Sequence, residues 1–300
     1  SSNSKMTADA RELKLRVPWG HVAGLSWGDP KGKPILFVHG TLDNAGCFTR
    51  LIKILPKTYH CVAIDLPSHG LSSHFPEGLF LDFFNFVITI HYVLEELQWE
   101  KCLYVGHSFG AQLGIMFSIF EPNRLEKIIA IDAFFSKAWK PDQIPGRLQY
   151  IYDDIIKSTQ KREPPLYTKE KVLEMLQTGR QFVLNKEAAE ALFPRGTSRV
   201  GDKYKFTRDI RMRPIVTLYF TFEYYLEFSK QLTTPILLII AEDSWYELAR
   251  QEKALAMVKN NLSSVVNIIK VEGNHDVHNN NPERIAPQVL SFFNEQRSKL

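Results

Sequence analysis

The chain has 300 residues, 44% of them hydrophobic and 23% charged, the composition of a folded globular protein and not of a disordered one. Lys plus Arg (37) barely exceeds Asp plus Glu (33), and no Lys/Arg run is longer than two, so a nucleic-acid-binding role is not indicated. The longest clean apolar stretch, Ile236 to Ala241, is far short of the roughly 20 residues that a membrane-spanning helix requires.

The first ten residues have no apolar core, so a secretory leader is not expected, and Ser1 to Lys5, before Met6, are set aside. Leu13 to Val17 and His21 to Trp27 read as a pair of strands joined at Pro18-Trp19-Gly20. Ile35 to Val38, His60 to Ile64, Leu103 to Val105 and Lys127 to Ile131 read as short buried strands. Helical stretches near Ala45 to Leu55, Phe80 to Leu97 and Ser108 to Phe120 alternate with them. That alternation implies a mostly parallel sheet with helices on both faces.

From about Ala133 to Leu232 the alternation stops, and candidate helices at Lys169 to Gly179, Lys186 to Phe193 and Pro214 to Ser229 follow without a convincing strand. Strand signals return at Pro235 to Ala241 and Val265 to Val271, and a closing helix is expected over Pro282 to Arg297. The expected organisation is a core over 6–132, a helical cap or lid over 133–232, and the rest of the core over 233–300. The aromatic stripe Tyr219 to Phe228 is expected to be the cap's packing face, with some members candidates for the acyl pocket.

Gly106-His107-Ser108-Phe109-Gly110 follows an apolar strand and opens a helix. A Gly-x-Ser-x-Gly in that context is a strand-to-helix turn that exposes a strained serine hydroxyl at a helix N-terminus, where negative charge is stabilised. Ser108 is therefore the candidate nucleophile. The base has to lie downstream, and of nine histidines only His275 and His278 do so beyond the nucleophile's own turn. His275, in the loop after the strand ending at Val271, is the candidate base, with His278 expected to face elsewhere.

GHSFG, together with HGTLDNA at 39–45 and DLPSHGLSS at 65–73, resembles the α/β-hydrolase fold. The opening RELKLRVPWGHVAGLSWG and its spacing to those motifs resemble the serine hydrolase-like proteins, the kraken-type branch. The resemblance covers most of residues 11–132 and the segment around GNHDVH, and is weak across the insertion. It implies the α/β-hydrolase fold with an inserted cap, a serine esterase, lipase or thioesterase chemistry on a small ester or thioester, and no metal or organic cofactor. It also implies an oxyanion hole from the backbone N–H groups of Thr41 and Phe109, with His39 structural.

For the acid that orients the base, the resemblance points first to Asp243, after the run Ile236 to Ala241. The family's aspartate often comes one position later, where this chain has Ser244, so Glu242 competes; Asp132, after Ile128 to Ile131, is a second family position for an acid and ranks between them. For Asp43, Asp65 and His69 ordinary loop hydrogen bonding is the expectation. Serine at position 108 argues against the epoxide hydrolases and haloalkane dehalogenases of this fold, which use an aspartate there. A C–C bond hydrolase or perhydrolase with the same triad, or a non-catalytic ligand binder on the scaffold, are the alternatives.

Cys47, Cys61 and Cys102 form no CxxC pair and sit in apolar surroundings, so buried thiols in a reducing compartment are expected, and a structural zinc site is not. Ser298, Lys299 and Leu300 match a peroxisomal address read by the import receptor. The expectation is a peroxisomal enzyme, otherwise a cytoplasmic one.

Overall fold

The computed structural model describes residues 10–160, 163–212, 220–244 and 252–295. Ser298, Lys299 and Leu300 lie outside them, as does the expected helical stretch 214–219.

Eight strands form one sheet: β1 (Arg11–Val17), β2 (Gly20–Gly28), β3 (Pro34–Val38), β4 (His60–Ile64), β5 (Cys102–His107), β6 (Leu125–Ile131), β9 (Ile236–Asp243) and β10 (Val266–Asn274). Their spatial order is β1-β2-β4-β3-β5-β6-β9-β10. The block from β4 to β10 is parallel, and β1 and β2 add an antiparallel edge.

Strand periodicity divides the core into two layers. Leu36, Val38, Val62, Ile64, Tyr104, Ile128, Ala130, Leu238 and Ile240 face one cluster. Their neighbours Ile35, Phe37, Cys61, Ala63, Leu103, Val105, Ile129, Leu237 and Ile239 face the other. Successive side chains alternate across a strand, so a short all-apolar run is what a sheet covered on both faces needs. Each fully buried Ile, Leu or Phe contributes about 1.5–3 kcal/mol.

The first face is covered by α2 (Phe83–Glu96) and α3 (Phe109–Phe120), through Phe86, Ile90, Val93, Leu113 and Phe117. Asp82 starts α2 by accepting the Phe84 N–H at 2.8 Å. The second face is covered by α1 (Thr49–Lys53) and α10 (Ala286–Asn294), through Leu51, Ile52, Val289 and Phe292. The closing segment is thus a short 3₁₀ turn, Pro282–Arg284, followed by α10, instead of one continuous helix. Cys47, Cys61 and Cys102 are free and buried.

Between β6 and β9 lie α4 (Ile144–Ser158), α5 (Lys169–Thr178), α6 (Lys186–Gly196), β7 (Thr197–Val200), β8 (Lys203–Phe206) and α7 (Phe222–Ser229). The insertion is not purely helical. β7 and β8 pair as a hairpin across Gly201-Asp202, where Gly201 takes φ 65°. A two-residue turn needs positive φ, which glycine adopts without strain. The buried Arg195 of α6 anchors the insertion, donating to Asp65 at 2.9–3.2 Å and to Glu12 of β1 at 2.5 Å. Asp65 also accepts the Ala45 and Leu71 N–H groups, the loop role expected of it. The remaining helices are α8 (Glu252–Asn261) and α9 (Val277–Asn280).

Candidate active site

Ser108 sits between β5 and α3 with φ 53° and ψ −116°. A non-glycine residue in that region stores on the order of 1–3 kcal/mol of strain, which the flanking structure must hold. Both glycines of the motif are there for space. A Cβ on Gly106 would lie 2.6 Å from the Ala111 nitrogen, and one on Gly110 would lie 2.1 Å from the Val38 carbonyl oxygen. The turn is held by the Ser108 N–H donating to the Ile131 carbonyl at 3.0 Å and the Tyr104 hydroxyl donating to the Gly110 carbonyl at 2.6 Å.

The loop after β3 lies directly against this turn, since a Cβ on Gly40 would stand 3.0 Å from the Ser108 Cβ. His39 is fully buried and structural. Its Nδ1–H donates to the Gly40 carbonyl at 2.6 Å, and its Nε2 accepts the Leu66 N–H at 2.9 Å. Burial lowers its pKa to about 4, so it is neutral. His69 has the same protonation pattern, donating to the Pro67 carbonyl and accepting the Leu42 N–H.

His275 follows β10 and is 13% exposed. Its Nδ1 lies 2.5 Å from Oδ2 of Asp132, which is fully buried. Asp132 follows the last residue of β6 and takes φ 58°. Its N–H donates to the Ile239 carbonyl at 2.7 Å, which ties the turn to β9. Its Oδ1 accepts the Ala241 N–H at 3.0 Å, and its Oδ2 also accepts from the Ser244 hydroxyl.

Asp243 and Glu242 are exposed at the end of β9, and the buried carboxylate on the imidazole is that of Asp132. This corrects the expectation that Asp243 would stand beside His275. Asp243 is held in register with Asn274 of β10. The inward place one residue on belongs to Ser244, whose hydroxyl reaches across to the Asp132 carboxylate.

One cavity of about 400 Å³ joins these parts. Ser108, His275, Thr41 and Gly40 line it from the core, and Met175, Leu176, Phe182 and Phe206 from the insertion. The insertion's aromatics that line it are Phe182 and Phe206, and no described member of the Tyr219 to Phe228 stripe is among the lining residues. Within that stripe Tyr225 stacks on Phe135 with ring centroids 5.0 Å apart, and Phe220 on Phe228 at 5.4 Å. Tyr219 lies outside the described residues.

Residues 33–282 match the α/β-hydrolase fold family. The chain belongs to that family.

This α/β-hydrolase is 32% identical over 300 residues to a serine hydrolase-like protein of Danio rerio, covering 98% of this chain and 92% of that one. It is 31% identical to serine hydrolase-like protein 2 of Homo sapiens, covering 94% and 93%. Among solved structures, a hypothetical protein from Pseudomonas aeruginosa PAO1 superposes with a TM-score of 0.84 at 28% identity, over 95% of this chain and 99% of that one.

Two features of the hydrolase's site were not legible in its sequence. Arg180, in the insertion, donates to both oxygens of Asp43 at 3.1 and 3.4 Å and to Asp276 at 3.0 Å. Read alone, an arginine between two short helices looks like a solvated surface residue. Burial pushes the Asp276 pKa up to about 6, and Asp43 adds to that, although the Arg180 guanidinium opposes both. The second feature is a pair of histidines behind the base. His107 Nε2 lies 2.6 Å from the His275 carbonyl, and its ring stacks on the fully buried His278 with centroids 3.7 Å apart. Burial holds both imidazoles neutral.

Proposed function

We propose that this hydrolase cleaves carboxylic esters or thioesters of small apolar acyl compounds through an acyl-enzyme on Ser108. The single observation that carries the reading is the strained Ser108 turn sharing one cavity with His275, whose far nitrogen rests on the buried carboxylate of Asp132.

Ser108 Oγ attacks the acyl carbon while His275 Nε2 takes its proton. Asp132 holds the Nδ1–H tautomer and stabilises the imidazolium, while Ala241 N–H and Ser244 Oγ–H donate to its carboxylate and fix its position. The backbone N–H groups of Thr41 and Phe109 receive the tetrahedral oxyanion, a contribution of about 3 kcal/mol per donor in acyl transfer. His275 returns the proton to the leaving alcohol or thiol. It then takes a proton from water, whose oxygen attacks the acyl-enzyme, and Ser108 leaves reprotonated with release of the carboxylic acid.

In this reading 133–232 is the cap. It supplies Met175, Leu176, Phe182 and Phe206 to the cavity wall beside Arg180, Gln181 and Arg208, so an apolar acyl chain has side chains to lie against in a wall that also carries charge. The serine hydrolase-like names of the relatives fit this chemistry.

The test is labelling with a fluorophosphonate probe, followed by a panel of p-nitrophenyl esters and acyl thioesters of graded length. Labelling lost in Ser108→Ala, with turnover of some panel members, is the expected result. A folded protein that takes no label and turns over no substrate would be a ligand binder on this scaffold.

A further inference from the structure

Behind the base, His278 is fully buried, and neither of its ring nitrogens has a hydrogen-bond partner among the described residues. The Nδ1 of the adjacent His107 is likewise without one. Three buried ring nitrogens without partners cost on the order of 1–3 kcal/mol each if nothing meets them. Around them stand groups of a different kind. Donor atoms of Asp43, Cys47 and His278 lie within 4.8 Å of one another, and so do those of His107, Asp276 and His278, and all five residues are buried.

We propose that Asp43, Cys47 and His278 bind a divalent transition-metal ion, zinc by the nature of the donors, in a site that braces the base and takes no part in the chemistry. Thiolate, imidazole and carboxylate form a borderline-soft set that suits zinc and neither magnesium nor calcium. Zinc bonds of about 2.0–2.3 Å put tetrahedral donors roughly 3.5 Å apart, so donors within 4.8 Å need to contract by about 1.3 Å at most. Asp276, which shares the second group with His278, or a water would complete four ligands.

The charges agree with this occupant. Two carboxylates, Asp43 and Asp276, face one guanidinium, Arg180, which leaves one net negative charge. A divalent ion that displaces the Cys47 proton to solvent adds one net positive charge and brings the pocket to neutrality. Arg180 then acts on the ligands from outside. It already donates to Asp43 and Asp276, as outer-shell donors do to ligating carboxylates. Binding fixes His278, and through the ring stack it fixes His107, whose Nε2–H holds the His275 carbonyl.

The site is absent from the linear pattern because its donors come from the loop after β3, the 3₁₀ turn Ala45–Phe48 and the helix after the base.

The experiment uses the full-length, tag-free, chelator-treated protein, titrated with cobalt(II) and then zinc. One equivalent of cobalt is expected to give a thiolate-to-metal charge-transfer band and intense tetrahedral visible bands, which zinc abolishes while raising the thermal midpoint. Cys47→Ser removes the charge-transfer band. The double variant Cys61→Ser/Cys102→Ser, which leaves Cys47 as the remaining cysteine, keeps it at full intensity. That double variant carries the test if Cys47→Ser fails to fold. The proposal is overturned by a folded protein that shows no such band, by a band that survives in Cys47→Ser, or by a band lost in the double variant.

Discussion

Oδ2 of Asp132 stands 2.5 Å from Nδ1 of His275, although 143 residues separate them in the chain. The contact exists because β6 and β9 are neighbours in the sheet. Ile131 pairs with Ile239, and the turn into Asp132 at φ 58° aims the carboxylate across the strand ends toward the loop after β10.

If Asp132 orients the base, Asp132→Asn is expected to lower kcat by about 10⁴-fold, because the amide stabilises neither the tautomer nor the imidazolium. Asp243→Asn and Glu242→Gln should stay within about two-fold of the wild type, since surface substitutions away from special features act weakly. Steady-state kinetics on one activated ester separates the three. Comparable losses in Asp132→Asn and Asp243→Asn would reject the assignment.

Gly110 and Gly146 make contrasting stability predictions. Gly110→Ala places a methyl 2.1 Å from a backbone oxygen of β3, a neighbour that cannot swing away. A loss of about 4 kcal/mol or more is expected, enough to unfold a marginal domain. Gly146→Ala in α4 meets nothing within 4 Å and should be neutral or gain about 0.5–1 kcal/mol. Urea denaturation measures both, and a mild Gly110→Ala would mean that the turn is laxer than its geometry implies.

Arg180 is ion-paired with both Asp43 and Asp276. Arg180→Met leaves two buried carboxylates facing each other and should cost about 3–5 kcal/mol. Adding Asp43→Asn should recover part of that, so the double variant is less destabilised than the sum of the singles. Strict additivity in a double-mutant cycle would deny the coupling.

Acid should weaken the fold through its buried histidines. Burial lowers His69 to about 3, with the neighbouring His39 adding to the effect, and lowers His39 to about 4. Both folded values lie below the unfolded value of about 6.5, so between these limits the unfolded chain holds more protons and stability falls with decreasing pH. Each histidine contributes a slope of up to about 1.4 kcal/mol per pH unit. In the metal-free protein His107 and His278 act in the same sense. Asp276, raised to about 6, acts in the opposite sense and cancels roughly one of the four. Denaturation series at pH 7.5, 6.5, 5.5 and 4.5 should show a plateau above 6.5 and a decline below it. A flat profile down to 4.5 would contradict neutral burial.

The strand–helix alternation, the Ser108 turn with its two glycines, and His275 as the downstream histidine could all be read from the chain. They depend on local rules: side chains alternate along a strand, and a sharp turn admits no Cβ at Gly106 or Gly110. The Gly201-Asp202 hairpin was also within reach, but the two four-residue strands beside it are too short and polar to announce themselves. Asp132 against His275, Ser244 in place of an acid, Arg180 between two aspartates and the His107–His278 stack needed the tertiary structure. Each is a contact between chain segments far apart in sequence, and which strand ends and loops meet is decided by sheet order and by how the insertion lies on the core, quantities that local sequence patterns do not carry.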